Sequence, residues 1–354
     1  MAKRAKIFLQ DACYAHRYIR SRDLSAIVER PERLRAVTLG LSAALARLES
    51  LSPPAELDTL AGALDRLSIA APSPGPSPHP QTQAPVSIVR SAASVDLLHD
   101  PAVWFVHGDA YPAQLGRWAR DSREAIARGA SEIPDGLPQG DLYLCPESID
   151  AMQGAVGAVC EAVDSVIASV SERRAFVVVR PPGHHCGDDT PAGFCFVNNV
   201  AVGAAHAHLK HGVNRVVVLD IDLHHGNGTQ AIVWRINEET HRLNLEAAAG
   251  APAAPPGLQM YYGSTHDVLS YPCEDGAAHH ISAASLSIHG AHGQHIENVH
   301  LQSYASPAHF WDVLYPSEYA RILRRAADFL DRTGGPGDDV LVFIRRVPPL
   351  KDPH

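Results

Sequence analysis

The chain has 354 residues, 45% of them hydrophobic, and a formal net charge of −9 at pH 7. This length allows one or two domains with a large buried core, and the acidic balance argues against free nucleic acid as a direct ligand. The six cysteines form no Cys-x-x-Cys pair, which indicates a reducing compartment. No uninterrupted apolar stretch is long enough to predict a membrane span, and no signal-peptide core follows Met1.

The amino-terminal third is predicted to contain a helix and a long loop. Amphipathic spacing predicts the helix from Arg33 to about Leu48. Residues 72–85 are rich in proline, and this low-complexity composition predicts an insertion that forms a flexible surface loop. The alternative interpretation of this insertion is a polyproline ligand for a partner protein.

The centre of the chain alternates helical and strand patterns. Helical spacing runs over 147–170, and the apolar run 175–179 predicts a strand. A second helix is predicted from Asn198-Asn199 to Gly212, followed by a buried strand that begins near Arg215. A right-handed crossover would place the loops after these two strands at the carboxyl edge of one parallel sheet.

The second strand runs from its apolar stretch directly into polar residues. Because side chains alternate along a strand, Asp220, Asp222 and His224 are expected on one face. The last two are then close enough to bind one cation through a carboxylate oxygen and an imidazole nitrogen, a donor mixture that suits zinc. Taken alone, an Asp-x-Asp pair after a strand is also compatible with a loop cap.

The loop after the first strand carries the tandem pair His184-His185. Burial of the charged Asp220 requires a partner of opposite polarity, and this pair is the obvious candidate. A buried carboxylate is expected to stabilise the imidazolium and to fix the tautomer, as a general base acting on metal-bound water requires. Paired histidines alone can be ordinary core groups, but the two loops together favour a metal-assisted hydrolase. Cys186 and Cys195, nearby, are better interpreted as small buried side chains than as metal ligands.

Around these two loops the sequence resembles the zinc-dependent histone deacetylases, most closely their class II side and a fungal branch of it. The resemblance runs from about Ile7 to Ile344 and implies an α/β fold of three layers, with a predominantly parallel, doubly wound sheet of the arginase/deacetylase type. Its most specific stretches are Arg180-Pro-Pro-Gly-His-His and Asp220-Ile-Asp-Leu-His-His-Gly-Asn-Gly-Thr. Residues 270–274 and 291–302 are similar to the fungal branch in particular.

The resemblance also implies individual roles. The implied catalytic residues are His184, His185, Asp220 and Asn227, and the implied zinc ligands are Asp222 and His224. Asp220 would be the partner of His184, whereas His185 would face Asn227 instead of a carboxylate. Phe194, with Gly193 before it, and Tyr271 would form opposite walls of an acyl-lysine channel, and Arg33 would line the inner cavity through which acetate leaves. A structural K⁺ near the second loop is implied as well.

After the last predicted strand, 339–344, the sequence departs from the family pattern. The family continues into a loop whose aspartate is the third zinc ligand, and later into a Gly-Gly-Tyr segment whose tyrosine polarises the scissile carbonyl. Here residues 345–354 form a basic, proline-containing tail of unrelated pattern. We therefore expect an incomplete catalytic domain over 1–344, with its last strands and helices missing, and a weakened zinc site. A further insertion, rich in alanine and proline, is expected on the surface at 246–257.

Three functions are compatible with the sequence. The first is zinc-dependent hydrolysis of N6-acetyl-lysine in histones or other proteins, with residence in the nucleus or also in the cytoplasm and with chromatin-associated complexes as partners. An acidic rim would attract lysine-bearing substrates of this kind. The second is hydrolysis of acetylpolyamines on the same fold, and the third is a non-catalytic binding or scaffold role. No membrane association is expected.

Overall fold

The computed structural model describes residues 5–51, 86–252 and 255–346. Its first strands and helices are β1 (Ala5–Gln10), α1 (Glu32–Leu51), β2 (Val86–Ser91), α2 (Pro101–His107), α3 (Ala110–Ala127) and α4 (Ser148–Ala168). The central ones are β3 (Ala175–Val178), α5 (Asn199–His211), β4 (Arg215–Asp220), α6 (Asn227–Ala248) and β5 (Gln259–His266). The last ones are α7 (Ala278–Ala284), β6 (Ser287–His289), β7 (His295–His300), α8 (Arg321–Arg332) and β8 (Val340–Arg345). A π-helical segment, His309–Tyr319, precedes α8.

The described strands form two sheets, in which all neighbours are parallel except one pair. The first sheet has the order β2-β1-β3, and the second has the order β6-β7-β5-β4-β8, with β6 antiparallel to β7. The prediction that the strands before the two polar loops share one sheet is therefore wrong. The reason is the pairing: β3 pairs with β1, while β5 and β8 occupy the two edges of β4.

The centre of the second sheet is covered on both faces, which gives the three predicted layers. All six residues of β4 are buried. Val216 and Val218 pack with the residues of α4, α5 and α6, and Val217 and Leu219 pack with the π-helical segment and α8. This alternation explains the continuous apolar run of β4, because a strand buried on both faces has no polar side.

Several local predictions are confirmed. The predicted first helix is α1, the spacing over 147–170 is α4, and the second predicted helix is α5, which Asn198 caps by accepting from the backbone N–H of Ala201 at 3.1 Å. Gly212 ends α5 with a φ of +68°, a left-handed conformation that favours glycine.

Two predicted insertions have different outcomes. Residues 249–252 and 255–256 of the predicted insertion at 246–257 are exposed loop, but the insertion begins as helix because α6 continues to Ala248. Alanine is the best helix former, so an alanine-rich start extends the preceding helix. The proline-rich insertion at 72–85 lies outside the described residues.

Helix α4 is long and apolar enough to cross a membrane by length and composition alone. However, 61% of its most apolar window is buried inside the domain, where it packs against α5. The central helix of a folded core passes the same test, so its apolar composition is explained by packing.

Candidate active site

The tandem histidines lie in the loop after β3, held closely against the start of α5. Gly183 is required there, because a Cβ atom would lie 2.7 Å from the backbone nitrogen of Asn199 and from the carbonyl oxygen of Val197. The carbonyl oxygen of His184 accepts from the backbone N–H of Thr229 at 3.0 Å. This bond joins the histidine loop to the start of α6, so the two loops meet although β3 and β4 belong to different sheets.

The second loop begins at the carboxyl end of β4 and turns immediately. Asp220 and Asp222 are 1% and 5% exposed. Asp222 Oδ1 accepts from the backbone N–H of His224 at 2.9 Å and lies 3.0 Å from its Nδ1. The His224 side chain is 42% exposed. Carboxylate and imidazole are therefore side by side, as the spacing predicted, with the imidazole on the solvent side.

Each histidine of the tandem pair has its own hydrogen-bond partner. His184 Nδ1 lies 3.0 Å from Asp220 Oδ2, and His185 Nδ1 lies 2.8 Å from Asn227 Oδ1. The ring centroids of the two histidines are 3.8 Å apart. The structure thus brings together the two pairs that the resemblance implies, one facing a carboxylate and the other an amide.

The electrostatics of His184 differ from the expectation that Asp220 would stabilise its imidazolium. Burial, followed by the positive charge of Arg345, holds the pKa of His184 well below its usual value. Burial and the neighbouring His184 have the same effect on the pKa of His185. Burial also raises the pKa of Asp220, against the opposing charge of Arg345. The desolvation of this centre therefore outweighs the attraction between the carboxylate and the imidazolium.

Arg345, the last residue of β8, enters the centre of the site. Its Nη1 lies 2.8 Å from Asp222 Oδ2, 3.4 Å from Asp220 Oδ1 and 2.7 Å from His184 Nδ1. The side chain is only 10% exposed. The sequence interpretation gave the tail that begins at Arg345 no role, and the structure corrects this: its guanidinium is the cation that lies between the two aspartates.

This contact competes with Asp220 for one nitrogen of the histidine. A guanidinium only donates hydrogen bonds, so His184 Nδ1 can either accept from Arg345 or donate to Asp220 Oδ2, 3.0 Å away, but not both. When Nδ1 accepts from Arg345, the proton of a neutral His184 is on Nε2, the atom that a general base would need free. The nearby Asp222 Oδ1, 3.9 Å from Nε2, faces that same side of the ring.

The donor types of Asp222 and His224 suit zinc, but the described arrangement does not fit the ion. Catalytic zinc sites have three protein ligands, and within residues 5–51, 86–252 and 255–346 no third His, Cys, Asp or Glu joins this pair with all ligand atoms within 4.8 Å of one another. The Arg345 guanidinium beside Asp222 adds a positive charge that opposes a metal ion.

Two of the expected channel residues, Gly193 and Tyr271, lie against His185. Gly193 has a φ of +48°, and a Cβ atom there would lie 2.4 Å from His185 Cδ2 and 2.8 Å from Tyr271 Cε1. The rings of His185 and Tyr271 meet edge to face at 4.7 Å. Phe194 is partly exposed and has a φ of +65°, an uncommon conformation for a bulky residue. The close packing explains why a glycine precedes the phenylalanine.

Arg33, expected to line an inner cavity, is engaged in a buried ion-pair network behind the histidine loop. Its Nε donates to Glu29 Oε1 at 3.1 Å and its Nη2 donates to the carbonyl oxygen of Val179 at 3.2 Å. Glu29 also accepts two bonds from Arg180, at 2.6 and 2.9 Å. Glu29, Arg33 and Arg180 therefore form a buried ion-pair network that supports the histidine loop.

A supporting histidine was missed by the sequence interpretation. His107, at the end of α2, accepts from the backbone N–H of Asn198 at 3.0 Å through Nε2 and donates through Nδ1 to the carbonyl oxygen of Asp188 at 2.8 Å. Burial lowers its pKa to about 4, so it is neutral, as both bonds require. Nothing in the sequence near His107 signals this contact, since its partners lie 81 and 91 positions away.

Fold and site together define an α/β protein in which two buried aspartates and a histidine pair meet between two loops. The sequence profile of the histone deacetylase domain matches residues 83–328, which is more than half of the chain. The chain belongs to the histone deacetylase family.

Curated relatives agree with this assignment, and a solved structure agrees with the fold. Histone deacetylase HOS3 of Saccharomyces cerevisiae is 35% identical over 314 residues, which cover 86% of this chain and 40% of that protein. Polyamine deacetylase HDAC10 of Homo sapiens is 40% identical over 109 residues, which cover 30% of this chain and 16% of that protein. The crystal structure of the HDA15 HD domain shares the fold, with a TM-score of 0.57 at 19% identity over 96% of this chain and 77% of that one. The chain thus spans 40% of the length of the yeast relative.

Proposed function

We propose that this domain hydrolyses N6-acetyl-lysine in histones or other proteins and releases acetate. The observation that carries the proposal is the pair of histidines with separate buried partners, Asp220 for His184 and Asn227 for His185, beside the Asp222 and His224 donors. Membership of the histone deacetylase family supports the same reaction. The edge of Tyr271 and the exposed side of Phe194 would contact the apolar stem of the lysine.

Zinc belongs to this proposal only in a conformation from which Arg345 has withdrawn. Asp222 and His224 would then be two of the ligands that hold Zn²⁺, which when bound polarises a carbonyl and lowers the pKa of bound water. The same proposal includes a structural K⁺ near the second loop, residence in the nucleus or cytoplasm, and chromatin-associated partners.

The withdrawal of Arg345 would also restore the histidine to the base role. With Asp220 as the partner on that side, His184 Nδ1 would donate to the carboxylate and Nε2 would be free to accept a proton from water. The water oxygen adds to the acetyl carbonyl carbon, the carbon–nitrogen bond breaks, and the proton passes from His184 to the lysine amine. Acetate and lysine are the products.

A second candidate is a non-catalytic domain that binds acyl-lysine, and a specific observation favours it. In the described conformation Arg345 neutralises Asp222 and competes with Asp220 for His184 Nδ1, which favours the proton of His184 on Nε2. Both features oppose catalysis while leaving the channel residues in place. Breaking such a buried ion pair costs about 3–5 kcal/mol, so withdrawal of Arg345 is not expected without a compensating interaction.

Replacement of Arg345 separates the two candidates. If the domain is a deacetylase, Arg345→Gln should bind more zinc after dialysis and should cleave an acetylated histone-tail peptide faster than the original chain. In that background, His184→Ala should lower the cleavage rate by about 10²–10⁴-fold and keep the zinc, whereas Asp222→Ala should lose both. Zinc content is measured by atomic emission, and acetate release by a coupled assay.

The contrary outcomes are equally clear. If Arg345→Gln gains zinc but does not cleave the peptide, the deacetylase proposal fails. The binding role is supported if the original chain binds the acetylated peptide more tightly than the unmodified peptide without cleaving it. Faster cleavage of acetylspermidine than of the peptide would assign the polyamine reaction named for the human relative.

A further inference from the structure

Three side chains outside the active centre converge on one point between two packed helices. Asp164 belongs to α4, and His206 and His211 belong to α5. The Nε2 atoms of His206 and His211 lie 2.8 and 2.6 Å from the same oxygen, Asp164 Oδ1. Among the residues that the structure describes, no other group of three His, Cys, Asp or Glu side chains has ligand atoms that all lie within 4.8 Å of one another.

This group lies far from the tandem histidines. The backbone nitrogen of Asn199, the first residue of α5, lies against Gly183, whereas His211 is its last residue. A helix of 13 residues rises about 20 Å at 1.5 Å per residue. His206 and His211 are therefore roughly 10 and 18 Å along the helix axis from Asn199, the end of α5 that contacts the histidine loop.

We propose that Asp164, His206 and His211 form a binding site for one divalent cation of the zinc type, which joins α4 to α5 at the protein surface. Two imidazole nitrogens and one carboxylate oxygen are ligands that Zn²⁺ accepts, and they leave a fourth position for water. The side chains of His206, His211 and Asp164 are 15%, 21% and 35% exposed, so the ion can enter directly from solvent.

The second oxygen of the carboxylate supports this arrangement. Lys210 Nζ lies 2.7 Å from Asp164 Oδ2. The lysine therefore occupies one oxygen and leaves Oδ1 to the two imidazoles. Its positive charge also weakens cation binding, but Lys210 is 54% exposed, so solvent screens much of this repulsion.

Only small movements are needed to admit the ion. Ligand atoms about 2.0–2.2 Å from a tetrahedral zinc are roughly 3.4 Å apart, compared with 2.8 and 2.6 Å between each nitrogen and Asp164 Oδ1. The side chains must therefore separate by less than about 1 Å. Binding would replace two N–H···O bonds by three bonds to the metal and would pin the end of α5 to α4.

The test compares zinc binding by single and double variants of the whole chain. Equilibrium dialysis against Zn²⁺ should show that His211→Gln binds one zinc fewer per chain than the original protein, although glutamine can still donate to Asp164. His208→Gln, one turn away on α5, is the matched control and should keep the full content, because His208 Nδ1 lies against the carbonyl oxygen of Val213 instead. Circular dichroism confirms that each variant is folded.

Two further variants separate this site from the active centre. His224→Gln removes a proposed ligand of the active centre. His211→Gln should therefore cause the same loss of zinc in a chain that carries His224→Gln as in a chain that does not. Lys210→Gln should raise the zinc affinity severalfold, because a competing cation is removed. Equal zinc content in His211→Gln and the original chain, or weaker binding by Lys210→Gln, would overturn the proposal without bearing on deacetylation.

A second readout is thermal stability. Zinc that binds the folded state alone raises the melting temperature with concentration. The shift should be present in the His224→Gln chain and absent from His211→Gln. If zinc raises the melting temperatures of these two variants equally, the ion binds elsewhere, and Asp164, His206 and His211 are not its ligands.

Discussion

At the scale of single residues, the buried charges behind the histidine loop determine how that loop is held. Arg180 is fully buried and Glu29 is 3% exposed. The same glutamate carboxylate accepts bonds from Arg180 and from Arg33. Burial tends to raise the pKa of Glu29, but the hydrogen bonds and charge of Arg180, with the charge of Arg33, lower it from 4.5 to about 2. Ionisation of Glu29 is therefore more favourable in the folded than in the unfolded state.

Glu29→Gln should consequently lower the free energy of unfolding by about 3 kcal/mol at pH 7, since each unit of pKa shift is worth about 1.4 kcal/mol. Because the pKa of Glu29 is lower in the folded state, its ionised carboxylate stabilises the fold at pH values above the unfolded-state pKa. This contribution is lost as the pH falls through the folded-state pKa. The difference between the original chain and Glu29→Gln should thus decrease from pH 4.5 towards pH 2. Urea denaturation at several pH values measures it.

The control for this substitution is Glu32→Gln, an exposed glutamate at the start of α1. Its effect should stay within about 0.5 kcal/mol, as expected of surface changes. A difference for Glu29→Gln that stays constant from pH 7 to pH 3 would show that the lost contribution is packing and not charge.

At the scale of elements, the short helix α2 depends on its cap. Asp100 accepts from the backbone N–H groups of Ala102 and Val103 at 2.8 and 3.2 Å, and Pro101 occupies the first helical position. A helix of seven residues has too few internal bonds to be stable alone. The cap therefore contributes to holding His107, at the end of α2, against the histidine loop.

Asp100→Ala should lower the free energy of unfolding by about 1 kcal/mol, the usual value for loss of a capping side chain. Asp100→Asn should keep most of the stability, because asparagine caps equally well. Chemical denaturation of the two variants measures the difference. Equal losses in both would mean that the charge of Asp100, and not its hydrogen bonds, stabilises the helix.

At the scale of the whole molecule, the second sheet has a protected centre and an open edge. All of β4 is buried between β5 and β8, whereas Val342 and Ile344 of β8 are 50% and 68% exposed. Within the described residues, β8 is paired along one edge only, with β4. The segment that delivers Arg345 to the active centre is thus one of the less protected strands of the fold.

Hydrogen exchange should reveal this gradient. Amides of β8 should exchange at least about tenfold faster than those of β4, because local opening of an exposed edge strand requires less free energy than opening the core. Peptides from β5, which is paired on both edges, are the internal control and should resemble β4. Equal protection of β8 and β4 in mass-spectrometric exchange would contradict the prediction.

Local sequence determined much of the fold and of the site. The apolar run of β4 predicted a buried strand, and Asp222 lies beside His224 as expected, although through a turn after β4 and not through strand alternation. A left-handed glycine ended α5 where predicted, at Gly212. These features depend on residues that are neighbours in the chain, so periodicity and motif spacing report them directly.

Only the tertiary structure decided the partners that lie far apart in sequence. Arg345 meets Asp220 across 125 positions and Arg180 meets Glu29 across 151 positions. The division of the strands into two sheets likewise depended on which strand edges β8 and β1 occupied. No local pattern encodes such contacts. They form between residues that are distant in sequence, because a buried charge is stable only when it is paired with an opposite charge or hydrogen-bonded. The sequence therefore specified the groups of the candidate active centre, and packing decided that a guanidinium lies among them.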